Sequence, residues 1–291
     1  MSTDTLNSTG GKQAAPAPGE AIADLVAKIR KEPSVAAHRW SLFQCFCVTG
    51  EWGRALQQLQ VYGQLDSDAE RVVHTYRDLI RAERWREQVM AGKRAPAFVY
   101  DDAAAWMQSL VEALKLTAKG DLDAADRARE AALDAAPLVA GRANDETFEW
   151  IGDSDSRLGP VCEFIAAGSY RWVALADLAG WRVRQPAALI DLVWTPCTLA
   201  LNDGSTLHGF VPARYPLPTE NQTDDAEALQ TGRETIWREV GRTGVIGFGR
   251  KTWSTAAGDF SVFELSTCAF GDAATADAAG LDEDADEEPA A

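Results

Sequence analysis

Small residues recur along the N-terminal half of the chain at the spacing of a helical repeat. A tetratricopeptide unit spans about 34 residues and places small alanines where its two antiparallel helices touch. Ala21 and Ala55 lie 34 residues apart, and Ala55 and Ala125 lie 70 apart, close to two such periods. The position 34 residues after Ala55 is Val89, so the unit in between is degenerate. The spacing predicts a tetratricopeptide-like solenoid, with a simple helical bundle as the alternative.

Glycine and proline predict where the helices of this half end. Glycine is the commonest residue just past a helix, and proline cannot continue one. Gly50, Gly63 and Gly120 each follow a run with apolar residues at helical intervals, and Pro33 and Pro137 follow two more. The predicted helices cover residues 21–31, 35–49, 52–62, 66–91, about 101–120 and 121–136.

The sequence changes character near Gly141, where aromatic and β-branched residues begin to alternate with Gly, Pro, Asn and Asp. Strands are predicted at 170–173, 181–184, 198–201, 206–211, 235–240, 245–248 and 260–265. The Asp203-Gly204 pair predicts a β-hairpin between two of them. We also predict a short helix over 158–167 and a polar surface loop over 217–230. The predicted fold class is α+β, with the tetratricopeptide-like helical solenoid over 20–140 and a β-rich mixed domain over 141–270.

Both ends of the chain differ in composition from its middle. Residues 1–19 are rich in Ser, Thr, Gly, Ala and Pro and lack an apolar run, which predicts a disordered leader rather than a secretory signal. Residues 271–291 hold eight acidic side chains and no Lys or Arg, which is half of the formal net charge of −16. We expect a solvated, disordered acidic tail, with docking on a specific site as the alternative.

Composition also narrows the classes of function. An acidic chain disfavours nucleic acid as a partner. No apolar run approaches the roughly 18 residues of a membrane-spanning helix, so we expect a cytoplasmic protein without membrane insertion. The cysteines form no C-x-x-C motif and are expected to be buried and reduced: Cys45, Cys47, Cys162, Cys197 and Cys268. No nucleophile or zinc-protease motif is present, and we expect no catalytic residue, no metal and no cofactor.

The segment 148–160 holds the carboxylates best placed for chemistry. Asp153 and Asp155 could ligate a divalent cation or act as an acid/base pair. A calcium loop would need a ligand at position 157, where this chain has Arg157 instead. Arg157 offers an ion-pair partner for either aspartate, and Asp155 could cap a helix starting at Leu158. We favour a structural or interface role and keep a metal-dependent hydrolase centred on Asp153 and Asp155 as the alternative.

Arginine and aromatic side chains of the helical half are the candidates for binding a protein partner, because these residue types dominate binding hot spots. They are Arg39, Phe43, Phe46, Tyr76, Arg77, Arg81 and Arg84. The concave face of a helical solenoid usually holds a peptide or a helix of another protein. The mixed charged face of the helix at 66–91 would otherwise be a solvated surface.

Five segments taken together resemble the ImpE family, also called TagJ. They are LFQCFCVTGEWGRALQQLQV at 42–61, TYRDLIRAERWREQVMAGKRAP at 75–96, FEWIGDSDSRLGPVCEFIAAGSYRWV at 148–173, DLVWTPCTLALNDG at 191–204 and VPARYP at 211–216. The resemblance covers about residues 21–265. The leader and the acidic tail lie outside the family pattern.

The resemblance implies an accessory protein of bacterial type VI secretion, without catalytic activity. It implies as partner a helix near the N-terminus of the small subunit of the contractile sheath. That contact would place the protein beside the ATPase that dismantles contracted sheaths, an indirect partner. Trp150, Asp153, Asp155 and Arg157 match a family motif to which the resemblance assigns no role.

Overall fold

The computed structural model describes residues 18–143, 146–218 and 226–271. Almost all of the predicted leader and all but the first residue of the predicted acidic tail therefore lie outside the described residues. Within them, helices come first and a sheet-rich region follows, which confirms the α+β class. None of the described helices is both long and apolar enough to span a membrane.

Gly50, Gly120, Pro33 and Pro137 lie just past helix ends, as predicted, but Gly63 lies inside a helix that continues to Leu65, so the end expected there is wrong. The described part of this half contains six α-helices. They are α1 Pro18–Lys31, α2 Ala36–Val48, α3 Trp52–Leu65, α4 Glu70–Met90, α5 Ala105–Lys119 and α6 Leu122–Ala135. Gly120 ends α5 in the left-handed conformation at φ 83°, which a residue without a side chain adopts readily. Asp66 accepts a hydrogen bond from the Asp68 N–H and so caps the 3₁₀ turn that leads into α4. Helix α2 packs against α3, and α5 packs against α6.

The strands of the described residues form three sheets. They are β1 Ala97–Phe98, β2 Gly141–Ala143, β3 Glu146–Phe148, β4 Ile151–Asp153, β5 Val161–Ala166, β6 Ser169–Ala174, β7 Leu178–Val183, β8 Trp194–Leu201, β9 Thr206–Pro212, β10 Thr235–Val240, β11 Gly244–Gly249, β12 Thr252–Thr255, β13 Gly258–Ser261 and β14 Thr267–Phe270, with a short helix α7 at Ala226–Thr231. The largest sheet has nine strands in the order β1-β6-β5-β9-β8-β7-β14-β2-β3. Strands β10 and β11 form a separate hairpin, and β13-β12-β4 form the third sheet. The strand pairs are antiparallel except for β1 with β6.

The predicted hairpin is confirmed. Strands β8 and β9 pair in register from Trp194 with Pro212 to Ala200 with Thr206. Gly204 takes φ 85° in the turn, and the Asp203 carboxylate accepts a hydrogen bond from the Ser205 N–H. The Asp-Gly pair therefore supplies both the left-handed backbone and the side-chain acceptor that a tight turn needs.

Three local predictions in the second half are wrong in whole or in part. The helix expected over 158–167 is instead strand β5, whose residues from Val161 to Ile165 are all buried. A short apolar run buried on both faces has no period that separates strand from helix. Of the strand expected over 260–265, only residues 260–261 are strand, as the end of β13; residues 262–265 form a turn, and β14 begins after it. The loop expected over 217–230 ends in helix α7, and residues 219–225 lie outside the described residues.

The helices and the main sheet share a core. Phe43, Phe46 and Leu79 from the helices lie in the same buried cluster as Trp172 of β6 and Trp194 of β8. Strand β1, which precedes α5 in the chain, pairs with β6 and so belongs to the sheet. Helices α1 to α6 precede the expected boundary at 140/141, and the described strands other than β1 follow it together with α7, while the core continues across it. The five cysteines are free and buried, as predicted.

Candidate functional site

The loop after β4 is held by its own aspartates. Asp153 Oδ1 accepts a hydrogen bond from the Asp155 N–H (2.9 Å), and Asp155 Oδ1 accepts one from the Arg157 N–H (3.0 Å). Asp155 Oδ2 also accepts a hydrogen bond from the Gly247 N–H of β11 (2.9 Å). Asp155 therefore fixes a turn and the neighbouring hairpin, and it caps no helix, because strand β5 follows.

Arg157 pairs with Asp155 and not with Asp153. Its Nε lies 2.9 Å from Oδ1 and its Nη2 lies 2.5 Å from Oδ2 of that carboxylate. The side chain of Asp155 is fully buried and that of Arg157 nearly so. Of the two ion pairs that the sequence left open, the structure forms this one, and its forked geometry is the strongest that Arg offers a carboxylate.

Asp153 has a different cation, Lys251, which comes just before β12. Lys251 Nζ donates to Asp153 Oδ2, in a close contact, and to Glu163 Oε2 at 2.8 Å. The Tyr215 hydroxyl donates to Asp153 Oδ1 at 2.7 Å. Asp153, Glu163 and Lys251 have fully buried side chains. An ammonium group thus bridges two buried carboxylates.

Arg86 of α4 connects this cluster to the helices. Its Nε and Nη2 donate to the two oxygens of Glu163 at 2.6 and 2.9 Å, and its Nη1 donates to Glu83 at 2.9 Å. The Tyr170 hydroxyl donates to Glu163 at 2.6 Å, and the Trp194 indole N–H donates to Glu83 at 2.9 Å. Helix α4 is therefore attached to strands β5 and β8 by polar contacts as well as by the core, and Tyr170 of β6 completes the partners of Glu163.

The buried charge network, as we call this cluster, balances its charges. Its carboxylates are Glu83, Asp153, Asp155 and Glu163, and its cations are Arg86, Arg157, Lys251 and the buried Arg214. Arg214 joins through its carbonyl, which accepts from Arg86 Nη2 at 3.1 Å, while its guanidinium donates to the backbone carbonyls of Cys47 and Val48. Removing an ion from water costs several kcal/mol unless a partner of opposite charge and hydrogen bonds compensate. Equal numbers of cations and carboxylates therefore allow all of these ions to be buried. The network joins residues from both halves of the chain.

The two carboxylates that share Lys251 have shifted pKa values in opposite directions. Burial raises the pKa of Asp153 to about 6, against the opposing effect of Lys251. Burial also acts to raise the pKa of Glu163, but the charges of Arg86 and Lys251 outweigh it and hold that pKa below its ordinary value. Glu163 is the firmly ionised member of the pair, and Asp153 is the one that takes up a proton first.

The geometry of the network suits a structural role. The positions that a cation would occupy beside Asp153 and Asp155 hold Lys251 Nζ and the Arg157 guanidinium. Among the described residues, no group of three or more His, Cys, Asp or Glu side chains is placed to hold a metal ion. With Asp153, Asp155 and Glu163 closed to solvent, a substrate in water has no contact with these oxygens.

The helical half has an accessible groove on α4, about 400 Å³ in volume. This α4 groove is lined by Leu56, Arg77, Asp78, Ile80, Arg81, Arg84, Trp85, Gln88 and Arg94. Arg77, Arg81 and Arg84 follow the i, i+4, i+7 spacing of one helix face, so they form a stripe roughly 10 Å long. Trp85 is 42% exposed, and the Arg94 guanidinium stacks 4.6 Å from its ring centre. Three of the seven expected partner-binding residues thus line one groove.

Two of the expected partner-binding residues are not surface residues. Phe43 and Phe46 are almost completely buried. Phe43 packs against Trp40 and Tyr76, the Arg54 guanidinium of α3 lies over the Phe46 ring, and both phenylalanines belong to the core that the helices share with the sheet. Tyr76 is half-buried, with its ring 5.2 Å from Trp40 and 5.4 Å from Phe43. Arg39 is half-buried and donates to Gln58 at 3.0 Å.

The remaining member of the family motif lies apart from the network. Trp150 is 37% exposed, and it precedes β4, whose last residue is Asp153. Its neighbours in the motif, Asp155 and Arg157, are in the network. The motif therefore divides between a buried structural cluster and one exposed aromatic ring.

Several members of the network were not predicted from the sequence. Glu83 and Arg86 were assigned only to a charged helix face, while Glu163 fell in the segment mistaken for a helix. Lys251 carried one sign of a special role, since it is the only lysine after Lys119 in a half that otherwise uses arginine.

The fold and its accessible chemistry define the class of protein: an α+β chain with a buried ion network and an arginine-rich groove on one helix. The model of the family described as ImpE protein matches residues 145–269. The type VI secretion system accessory component TagJ of Pseudomonas aeruginosa is 40% identical over 246 residues, which are 84% of this chain and 85% of that protein. The chain belongs to the ImpE family, also called TagJ.

A solved structure has the same fold. The crystal structure of protein VPA1032 from Vibrio parahaemolyticus superposes with a TM-score of 0.79 at 23% identity. The match covers 87% of this chain and 94% of the other. At that identity the likeness supports the arrangement of helices and strands and nothing more.

Proposed function

We propose that this protein is a non-catalytic, cytoplasmic accessory component of type VI secretion. Its partner is a helix near the N-terminus of the small subunit of the contractile sheath. By holding that helix it modulates sheath assembly, or disassembly by the ATPase. The family relationship and the name of the Pseudomonas aeruginosa relative support the type VI secretion role.

The α4 groove is the observation that supports the proposed location of the binding site. Arg77, Arg81 and Arg84 form a stripe about two helical turns long, and Trp85 stands beside it. Arginine and tryptophan are the residues most enriched at binding hot spots. A helix lying along α4 would place acidic side chains against the stripe and an apolar side chain against Trp85. This is the peptide-holding face that we expect of a tetratricopeptide-like arrangement of α1 to α6.

The test uses the full chain and a fluorescent synthetic peptide of the sheath small subunit's N-terminal helix. We expect binding in fluorescence anisotropy, weakened at least about tenfold in Arg81→Glu/Arg84→Glu, since two hot-spot arginines contribute over about 1 kcal/mol each. The matched control is Arg30→Glu/Arg127→Glu, which reverses two exposed charges on α1 and α6. Equal weakening in both double variants would show only a general charge effect and would remove the groove from the proposal.

A further inference from the structure

We propose that the acidic C-terminal segment of this chain, residues 281–288, occupies the α4 groove and competes there with the partner. The ligand of the groove is then a segment of the same chain. The competition with the partner rests on the proposed function, whereas the occupancy of the groove by the segment does not.

Charge complementarity is the first argument. Residues 272–291 carry eight carboxylates and no Lys or Arg, and six of the carboxylates lie between Asp282 and Glu288. The α4 groove is lined by four arginines against one acidic side chain, Asp78. On a chain with a formal net charge of −16, a groove of this sign attracts the most acidic segment within reach.

The second argument is the apolar fit. Leu281 is the only large apolar residue between 272 and 291, and it directly precedes the acidic run. The α4 groove offers apolar surface from Leu56, Ile80 and the partly exposed Trp85. One leucine followed by carboxylates matches an aromatic ring flanked by arginines.

The third argument is reach. The described chain ends at Gly271, just after β14, and β6 lies five strand positions from β14 in the main sheet. At about 4.8 Å per strand this is roughly 24 Å. The turn between β5 and β6 contacts α4 beside the groove, because a side chain at Gly168 would meet Arg81 and Asp78. Leu281 lies ten positions after Gly271, and a stretch of that length spans up to about 33 Å when extended.

A tethered segment needs little intrinsic affinity to compete. Short flexible connections give effective concentrations on the order of 1 mM, so a segment with a Kd of about 1 mM would fill the groove in about half of the molecules. Deleting the segment would then tighten partner binding about twofold, and more if the segment binds better. Because the attraction is between exposed charges, the competition weakens as salt rises.

Occupancy is tested without any partner by fluorescence quenching. Ala285→Cys in the full chain is labelled with bimane, which tryptophan quenches on contact, and the five native cysteines are buried. We expect quenching that is relieved by Trp85→Phe, by Arg81→Glu/Arg84→Glu and by high salt. Trp237→Phe is the matched control, since Trp237 is also 42% exposed. Emission unchanged by Trp85→Phe, or raised equally by both tryptophan substitutions, overturns the proposal.

Competition is tested with the sheath-helix peptide on the full chain and on a chain ending at Gly271. We expect tighter binding to the shorter chain at low salt and equal binding at high salt. If quenching by Trp85 is present but the peptide binds both chains equally, the segment occupies the groove and the partner binds elsewhere, so the proposed binding site fails while the occupancy stands. If quenching is absent, the occupancy fails whatever the peptide does.

Discussion

At the residue scale, Lys251 is the counter-ion of two buried carboxylates. Its ammonium group contacts Asp153 and Glu163, and all three side chains are fully buried. A buried ion pair adds little net stability, but removing one partner leaves a carboxylate with neither water nor a counter-ion. We therefore expect the network to specify how β4, β5 and the start of β12 come together more than to stabilise them.

We predict that Lys251→Met destabilises the protein by about 3–5 kcal/mol, the range for breaking one side of a buried pair. Lys251→Met/Asp153→Asn should recover part of the loss, because the second change removes the carboxylate that the first leaves unpaired. Urea denaturation at pH 7 of the wild type, both single variants and the double variant gives the coupling energy. Additive losses in the double variant would mean that the two side chains do not depend on each other.

At the scale of elements, the β10–β11 hairpin depends on contacts outside its own sheet. An isolated two-stranded hairpin is marginal in water. On one side Asp155 accepts the Gly247 N–H, and on the other Asp126 of α6 accepts the N–H groups of Arg242 (2.7 Å) and Thr243 (3.2 Å) in the turn. Arg129 lies 2.9 Å from the same aspartate. Asp126 therefore links helix α6 to the β10–β11 hairpin.

We predict that Asp126→Asn costs about 1–3 kcal/mol at pH 7, since it removes a charged acceptor from several donors. Hydrogen bonds from Arg242, Thr243 and Arg129 hold the pKa of Asp126 below its ordinary value. A lowered carboxyl pKa contributes stability that is present above the unfolded value of about 3.9 and is lost as pH falls through the folded pKa. The difference between wild type and variant should therefore shrink below about pH 4.

Thermal melts from pH 7 down to pH 3 measure this difference. Asp134→Asn, an exposed aspartate on the same helix, is the control and should stay within about 0.5 kcal/mol of the wild type at each pH. A constant gap between wild type and Asp126→Asn down to pH 3 would contradict the assigned pKa shift.

At the scale of the whole molecule, sequence patterns predicted what depends on neighbours in the chain. Gly120 ends its helix and Asp203-Gly204 makes its turn because those conformations are local. The pairing of Arg157 with an aspartate two residues away was also within reach of the sequence. Lys251 and Asp153, which are in contact, lie 98 positions apart in the chain, and no sequence period or motif predicts such a pair.

The burial of Phe43 and Phe46 shows the same limit. Helical spacing identified them as residues of one helix but could not say that they lie in a core shared with the sheet. The i, i+4, i+7 positions of Arg77, Arg81 and Arg84 placed three charges on one side of α4, and that side is open. Whether a predicted face meets solvent or sheet is decided by tertiary packing, which the pattern does not contain.

Because the core is shared, we predict that the helical half does not fold by itself. A fragment of residues 18–140 would lose Trp172 and Trp194 from its core, and Arg86 would lose Glu163. Exposed apolar surface and an unpaired ion both oppose folding. We expect this fragment to bind the dye ANS and to melt without a cooperative transition, whereas a chain of residues 18–271 melts cooperatively. Circular dichroism and ANS fluorescence compare the two at equal concentration. A cooperative melt of the fragment would show that the helices fold alone, and only then could partner binding be assigned by testing that half in isolation.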